Sequence, residues 1–481
     1  MVAATAQTSP NPNDVVTAFD ASSRSWVTAG QGGPSHTKLP ALDGALLVSA
    51  EALQGAAEDF GRVVSRRPSA VLRPGSVEDV ARMVRFARQH RMKIGPRGQG
   101  HTMYGHCQVE AGIVIDMSAL ATIHSIAEDR ALVDAGVSWS TLVAQTIAAG
   151  RTPPVLTDYL ELSVGGTLSV GGLSGTSFRY GTQGDNVLEL QMVTGEGELV
   201  TCSPTQHREL FEAALAGLGQ CGIIVRATLR LVPAPALVRV YVLSYADNGT
   251  LIRDELRTIE PDRFDNAVAA VVPGPNGSWM RQLICAAYYT PPQAPDNARL
   301  LQGLSYQQGV EQIFDVPYIA FVNRLAPQIA ESQTLGIFAR PHPWVDLFVP
   351  GSKVEAFVDT LLQEVVPAEI TPVFPILLYP FKRERLTRPL FRVPEEDTFF
   401  LVDVLRTAMP GARDGAEQVK HNRALFERNR EWGGTHYAIS AIPCTPEDWK
   451  RHYGSAWDGL AAAKRRYDPD RVLTPGPRVF E

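Results

Sequence analysis

The chain has 481 residues, 44% of them hydrophobic and 20% charged, with a formal net charge of −6. That length is two ordinary domains with room for a sizeable core, and the acidic balance argues against nucleic-acid or anionic-membrane partners. Five scattered cysteines (Cys107, Cys202, Cys221, Cys285 and Cys444) make no CxxC pair, which argues against a disulfide framework and a thiolate zinc site.

Residues 1–40, rich in Ser, Thr, Pro, Gly and Asn, read as a loosely ordered lead-in. The opening stretch has neither a basic n-region nor an apolar h-region, and no apolar run approaches the ~20 residues of a membrane helix, so a cytoplasmic protein is expected. "SAVL" at 69–72 predicts a strand. Ser76 then caps a helix with Glu78 and Asp79 in its first turn and an apolar stripe of Val77, Val80, Ala81, Val84 and Ala87. "MKIG" predicts a short strand running into the glycine loop "RGQGHTMYGH" at 97–106; "GIVIDMSAL" and "ALVDAGVSWSTLVAQTIAAG" add two strands and a helix. "NVLELQMVT" and "GELVTCS", joined at "GEG", predict a hairpin. After a helix, a glycine hinge and a strand, "PAPA" at 233–236 marks a domain boundary. From about 236 to 439 glycine pairs thin out and strands alternate with long helices, and the last forty residues return to helix and a Pro-Gly tail.

No G-x-G-x-x-G stands between a strand and a helix, because Met103 occupies the place of the third glycine after "MKIG"; Walker A, HExxH and G-x-S-x-G are also absent. What remains is two glycine-rich segments, 95–105 and 165–175. Each alone is equally a set of turns in a β-rich domain. Together, each beside strands, they point to a dinucleotide held by backbone N–H groups. His101 and His106 have the ordinary reading of loop histidines, and their spacing without nearby carboxylates argues against a metal site. Asp158, in the apolar "PPVLTDYLELS", reads equally as a turn or cap aspartate.

The stretches "GQGHT", "TDYLELSVGGTLSVGGLSG", "HPWVDLFVP" and "KRRYDPDRVLTPGPRVF" resemble cytokinin dehydrogenase, a flavoprotein of the vanillyl-alcohol-oxidase group, and the likeness runs from residue 59 to 481. The resemblance implies an α+β, two-domain PCMH-type FAD-binding fold with an inserted substrate-binding domain, an antiparallel sheet flanked by helices. The FAD-binding domain would take residues 41–235 and, as a C-terminal return, 440–481; the substrate-binding domain would take 236–439. His101 stands where the family joins FAD covalently. Arg97, Gly98, Gln99, Gly100, Thr102 and His106 would wrap the cofactor, and Ser163, Ser169, Leu173 and Ile224 fall at its other contacts. Asp158 matches the catalytic aspartate, which accepts a proton from a secondary amine while hydride passes to flavin N5.

The substrate half departs from the pattern. Val268 replaces the glutamate that grips adenine, Leu386 falls at the family's tryptophan after "YP", and Pro477 replaces the glutamine after the terminal Pro-Gly. A carboxylate–purine hydrogen bond cannot be copied by valine. Val268, Trp344, Tyr379 and Leu386 are the candidate pocket residues. The expected partners are a small-molecule substrate and an electron acceptor, oxygen or a quinone, with no nucleic acid, membrane or metal. Two readings stay open: oxidation of a C–N bond in a cytokinin or other secondary amine, and oxidation of an alcohol or heterocyclic intermediate of specialised metabolism. The oligomeric state is not legible.

Overall fold

The structure, a computed structural model, describes residues 14–28 and 36–481. The expected lead-in is corrected in its described part. Strands β1 (Val16–Asp20), β2 (Ser25–Thr28) and β3 (Thr37–Lys38) form an antiparallel sheet in the order β2-β1-β3. The physical reason is a small apolar set inside polar composition: Phe19, 1% exposed, packs on Trp26 at 4.9 Å and on Phe86 at 6.1 Å. Residues 1–13 and 29–35, also within that lead-in, lie outside the described residues.

Strands β4 (Ala45–Leu47), β5 (Ala70–Arg73), β6 (Ile94–Arg97) and β7 (Ile113–Asp116) form a second sheet, order β4-β5-β7-β6, in which β7 runs parallel to both β5 and β6. Its central strands are apolar on both faces, as parallel strands buried on both sides must be. The helix Val77–Gln89 packs on it; the Ser76 hydroxyl accepts the Asp79 N–H, and the buried Asp79 carboxylate accepts the amides of Asp43, Gly44 and Gly75. Strands β8 (Ile123–Ile126), β9 (Arg130–Asp134), β11 (Val187–Val193), β12 (Leu199–Cys202) and β13 (Ile223–Arg230) make a five-stranded antiparallel sheet, with the expected hairpin at β11 and β12. The short strands β10 (Arg151–Thr152) and β14 (Val232–Pro233) pair by themselves.

The eight-stranded antiparallel sheet draws every strand from residues 237–436: β15 (Leu237–Tyr245), β16 (Asn266–Pro273), β17 (Trp279–Tyr289), β18 (Gln312–Pro317), β19 (Val345–Pro350), β20 (Ile376–Lys382), β21 (Thr398–Val404) and β22 (Thr435–His436). Its order is β18-β15-β17-β16-β20-β21-β19-β22. Because side chains alternate along a strand, Tyr241, Ala269, Leu283, Leu378 and Val402 point to one face, where the helices Asn248–Thr258, Val354–Glu364 and Gly415–Glu431 cover them. Val268, Ile284, Leu377, Tyr379 and Asp403 point to the other, over a cavity.

The C-terminal helices Pro446–Tyr453 and Trp457–Tyr467 fold back onto the first half. The Lys464 ammonium donates to Gln220 O at 2.7 Å, and a parallel bridge joins Ile94 to Leu473. No helix of the described residues is long and apolar enough to cross a membrane.

Candidate active site

The site begins where β6 ends. Arg97 turns back, its guanidinium donating to Glu58 O at 2.6 Å, and lies against Gly100. Gly100 has φ +67°, and a Cβ there would collide with that guanidinium; only glycine suits both demands. The Phe60 and Gly61 amides donate to the Gly100 and Thr102 carbonyls at 2.9 and 3.0 Å, which ties the loop to the preceding segment. The N–H groups of Gly98, Gln99 and Gly100 have no acceptor among the described residues.

His101 follows with its ring stacked on Phe60 at 4.0 Å, and Phe60 stacks in turn on His342 at 4.5 Å. Burial, with a smaller contribution from His342, holds the His101 imidazole down at about 3, so it is neutral and its ring nitrogens are not fully spent on protons. Thr102 donates to the buried Asp59 carboxyl at 2.7 Å. His106 is also neutral, pulled down to about 4 by burial, and its Nδ1 is buried with no partner.

The two glycine segments meet in space. Gly98 lies so close to Ser163 that a Cβ would strike its hydroxyl, and Ser169 donates to Gly165 O at 2.7 Å. The Gly172 amide donates to the Tyr437 hydroxyl at 3.0 Å, which links this loop to the chain just after β22. Arg97, Gly98, Gln99, Gly100, His101, Thr102, His106, Ser163, Ser169, Leu173 and Ile224 all line one cavity of about 830 Å³. Unclaimed loop amides, close glycine backbones and a roomy cleft fit FAD.

The other half of the cavity is roofed by the eight-stranded sheet. Asp158 sits between the halves: Arg324 donates to its Oδ1 at 2.6 Å and the Tyr379 hydroxyl to its Oδ2 at 2.7 Å. Arg324 also lies 4.7 Å from the Phe321 ring. Burial and the Asp158 charge push the Tyr379 phenol well above its ordinary range. For Arg324, burial acts downward, and the Asp158 carboxylate together with Tyr379 and Tyr288 outweighs it. Both oxygens of Asp158 thus have donors that fix its orientation. Val268 and Trp344 line the cavity as well; Trp344 lies 5.6 Å from His101.

Leu386 does not line the cavity. It follows the 3-10 turn Arg383–Arg385 that ends β20's alternation, its amide donates back to Arg383 O at 3.1 Å, and at 8% exposed it packs in the core. Three features had no signal in the sequence: Arg324, Phe60 and a pair of acidic residues, Asp346 and Asp403, side by side on β19 and β21. Each is defined only by what lies across the cavity or the sheet.

An FAD binding domain family matches residues 68–203, and a family described as "Cytokinin dehydrogenase 1, FAD and cytokinin binding" matches residues 253–480. Cytokinin dehydrogenase 9 of Oryza sativa subsp. japonica is 34% identical, over 93% of this chain and 92% of that protein. The chain belongs to the cytokinin dehydrogenase family. Cytokinin dehydrogenase 3 of Arabidopsis thaliana is 32% identical over 91% of this chain and 90% of its own. An uncharacterised oxidoreductase, ORF5 in the fasciation locus of Rhodococcoides fascians, is 42% identical over 89% of this chain and 97% of its own. This cytokinin dehydrogenase homologue is therefore a FAD-dependent oxidoreductase with a small-molecule substrate.

Proposed function

We propose that the enzyme oxidises the C–N bond of a secondary amine, with Asp158 as the proton acceptor and FAD joined covalently to His101. The observation that carries this reading is Asp158 itself: a carboxylate oriented by Arg324 and Tyr379 on the same cavity as His101 and the glycine loops. Bound FAD supplies the acceptor for the hydride leaving the carbon next to nitrogen. Asp158 takes the N–H proton as that hydride departs, so the substrate loses two electrons and two hydrogens and becomes an imine. Water then cleaves the imine to an amine and an aldehyde. Arg324 and Tyr379 keep the carboxylate turned toward the cavity, and the apolar sheet face above it keeps bulk water away. The neutral imidazole of His101, clamped on Phe60, is in the protonation state that attachment through a ring nitrogen needs.

A second reading, oxidation of an alcohol or a heterocyclic intermediate, draws its support from Val268. That side chain is 4% exposed and offers no hydrogen bond to a purine. The test is anaerobic titration of the flavin-loaded protein with N6-isopentenyladenine and, separately, with a panel of alcohols. Bleaching within the mixing time, abolished in Asp158→Asn at full flavin loading, upholds the amine reading. Bleaching by alcohols alone upholds the second. The subsequent rate of reoxidation by oxygen or by a quinone identifies the acceptor.

A further inference from the structure

Asp346 and Asp403 are direct cross-strand partners on β19 and β21. The Oδ1 atom of each is buried and has no hydrogen-bond partner, and the carboxyl groups are within hydrogen-bond reach of one another. Asp346 Oδ2 accepts the Ser440 hydroxyl at 3.0 Å. The groups that act on the pair are Ser440, Asp158, Tyr379, Tyr437 and the two carboxyls themselves, with no cation among them in the described residues. Two adjacent ionised carboxylates in such a wall would be prohibitively costly. Burial pushes both carboxyls up, and the neighbouring negative charge pushes Asp403 further. The donor the two orphaned oxygens lack is a proton held on one of them.

Asp403 also lines the cavity, on the face that carries Tyr379 and Val268. It pairs across with Leu377, while Tyr379 pairs with Leu401, so Asp403 stands one row along the sheet from the residue that orients Asp158. Such diagonal neighbours lie roughly 7 Å apart. A substrate whose C–N bond rests at Asp158 therefore carries one of its substituents past Asp403.

We propose that Asp346 and Asp403 share a proton and form a hydrogen-bonding site that selects substrates bearing a hydroxyl a few bonds beyond the oxidised carbon. A hydroxyl both donates and accepts, which matches a carboxyl pair that keeps its own proton. An ammonium group only donates, so it cannot accept the proton that the pair holds. The inference rests on the role proposed for Asp158.

The test measures binding to the reduced, flavin-loaded protein under anaerobic conditions, where the ligands are not consumed. The probes are N6-isopentenyladenine against its terminally hydroxylated analogue, and N-butylaniline against its 4-hydroxybutyl and 4-aminobutyl counterparts. The hydroxylated member of each pair should bind about tenfold more tightly. Asp403→Leu should erase the difference, and Asp403→Asn, which keeps a donor and an acceptor, should retain most of it. In the wild-type-minus-Asp403→Asn infrared difference spectrum, where the band of buried Glu255 cancels, a C=O band of a protonated carboxyl reads the shared proton without any ligand. No hydroxyl preference in either series, a preference that survives Asp403→Leu, tightest binding by the ammonium compound, or absence of the infrared band overturns the proposal. A hydroxyl preference among the anilines together with no flavin bleaching by either adenine counts against cytokinins as substrates and upholds the assignment of this site.

Discussion

Tyr379→Phe isolates one contact of the proposed base. The change removes the 2.7 Å hydrogen bond from the phenol to Asp158 Oδ2 and keeps the ring that packs beside Phe381. Hydrogen bonds to charged groups contribute about 1.5–3 kcal/mol, or roughly 10- to 150-fold in a rate that depends on them. The lower end applies here. Arg324 still holds Oδ1 at 2.6 Å, and the cavity admits a water to the vacated oxygen. The rate of substrate-dependent flavin reduction, followed by anaerobic stopped flow, should therefore fall about tenfold, with flavin loading unchanged. Replacing Arg324 as well, as Arg324→Met in the Tyr379→Phe background, should cost more than the product of the two single effects, because each partner covers for the loss of the other. An unchanged reduction rate in Tyr379→Phe, with Asp158→Asn inactive, would refute the orienting role of the phenol.

His101→Ala should release its flavin into the supernatant on acid precipitation, whereas the wild type should keep the colour in the pellet; free flavin from the wild type would count against the covalent link. Val268→Glu should lower KM for N6-isopentenyladenine about tenfold if purines are the substrates, and raise it if the apolar wall is what the substrate needs. Glu255 is fully buried with both carboxyl oxygens unpartnered, and burial raises its pKa well above the ordinary glutamate value of about 4.3. Above that value the unfolded chain releases a proton that the folded chain retains, so this group makes stability fall as pH rises toward its folded pKa. Glu255→Gln should therefore gain Tm relative to the wild type as pH rises above the ordinary glutamate value; a pH-independent difference would show that Glu255 is charged in the folded protein.

Some features were legible because their causes are local. The helix Val77–Gln89 follows from the Ser76 cap and a stripe that needs only its own turns, and the β11–β12 hairpin from alternation on either side of "GEG". Glycine density marked the cofactor loops, since a loop that lets a ligand approach its backbone announces itself in composition. The β1–β2 hairpin was missed for the opposite reason: Phe19 and Trp26 are few among Ser, Thr and Asn, and their partner Phe86 comes from a later helix. Leu386 falls at the family's tryptophan, but the 3-10 turn that follows β20 carries it into the core and away from the cavity.

By itself the sequence determined the local elements, the glycine loops that flank His101 and Asp158, and, through long ordered motifs, the flavoprotein family. Tertiary structure decided what those residues touch. Asp158 meets Arg324 across 166 positions and Tyr379 across 221, and Asp346 meets Asp403 because β19 lies beside β21 in a sheet whose order departs from chain order. Caps and periodicities are written within a few residues. Strand order and register emerge only when distant segments compete to bury their apolar faces, and those choices decide which charges share a cavity wall.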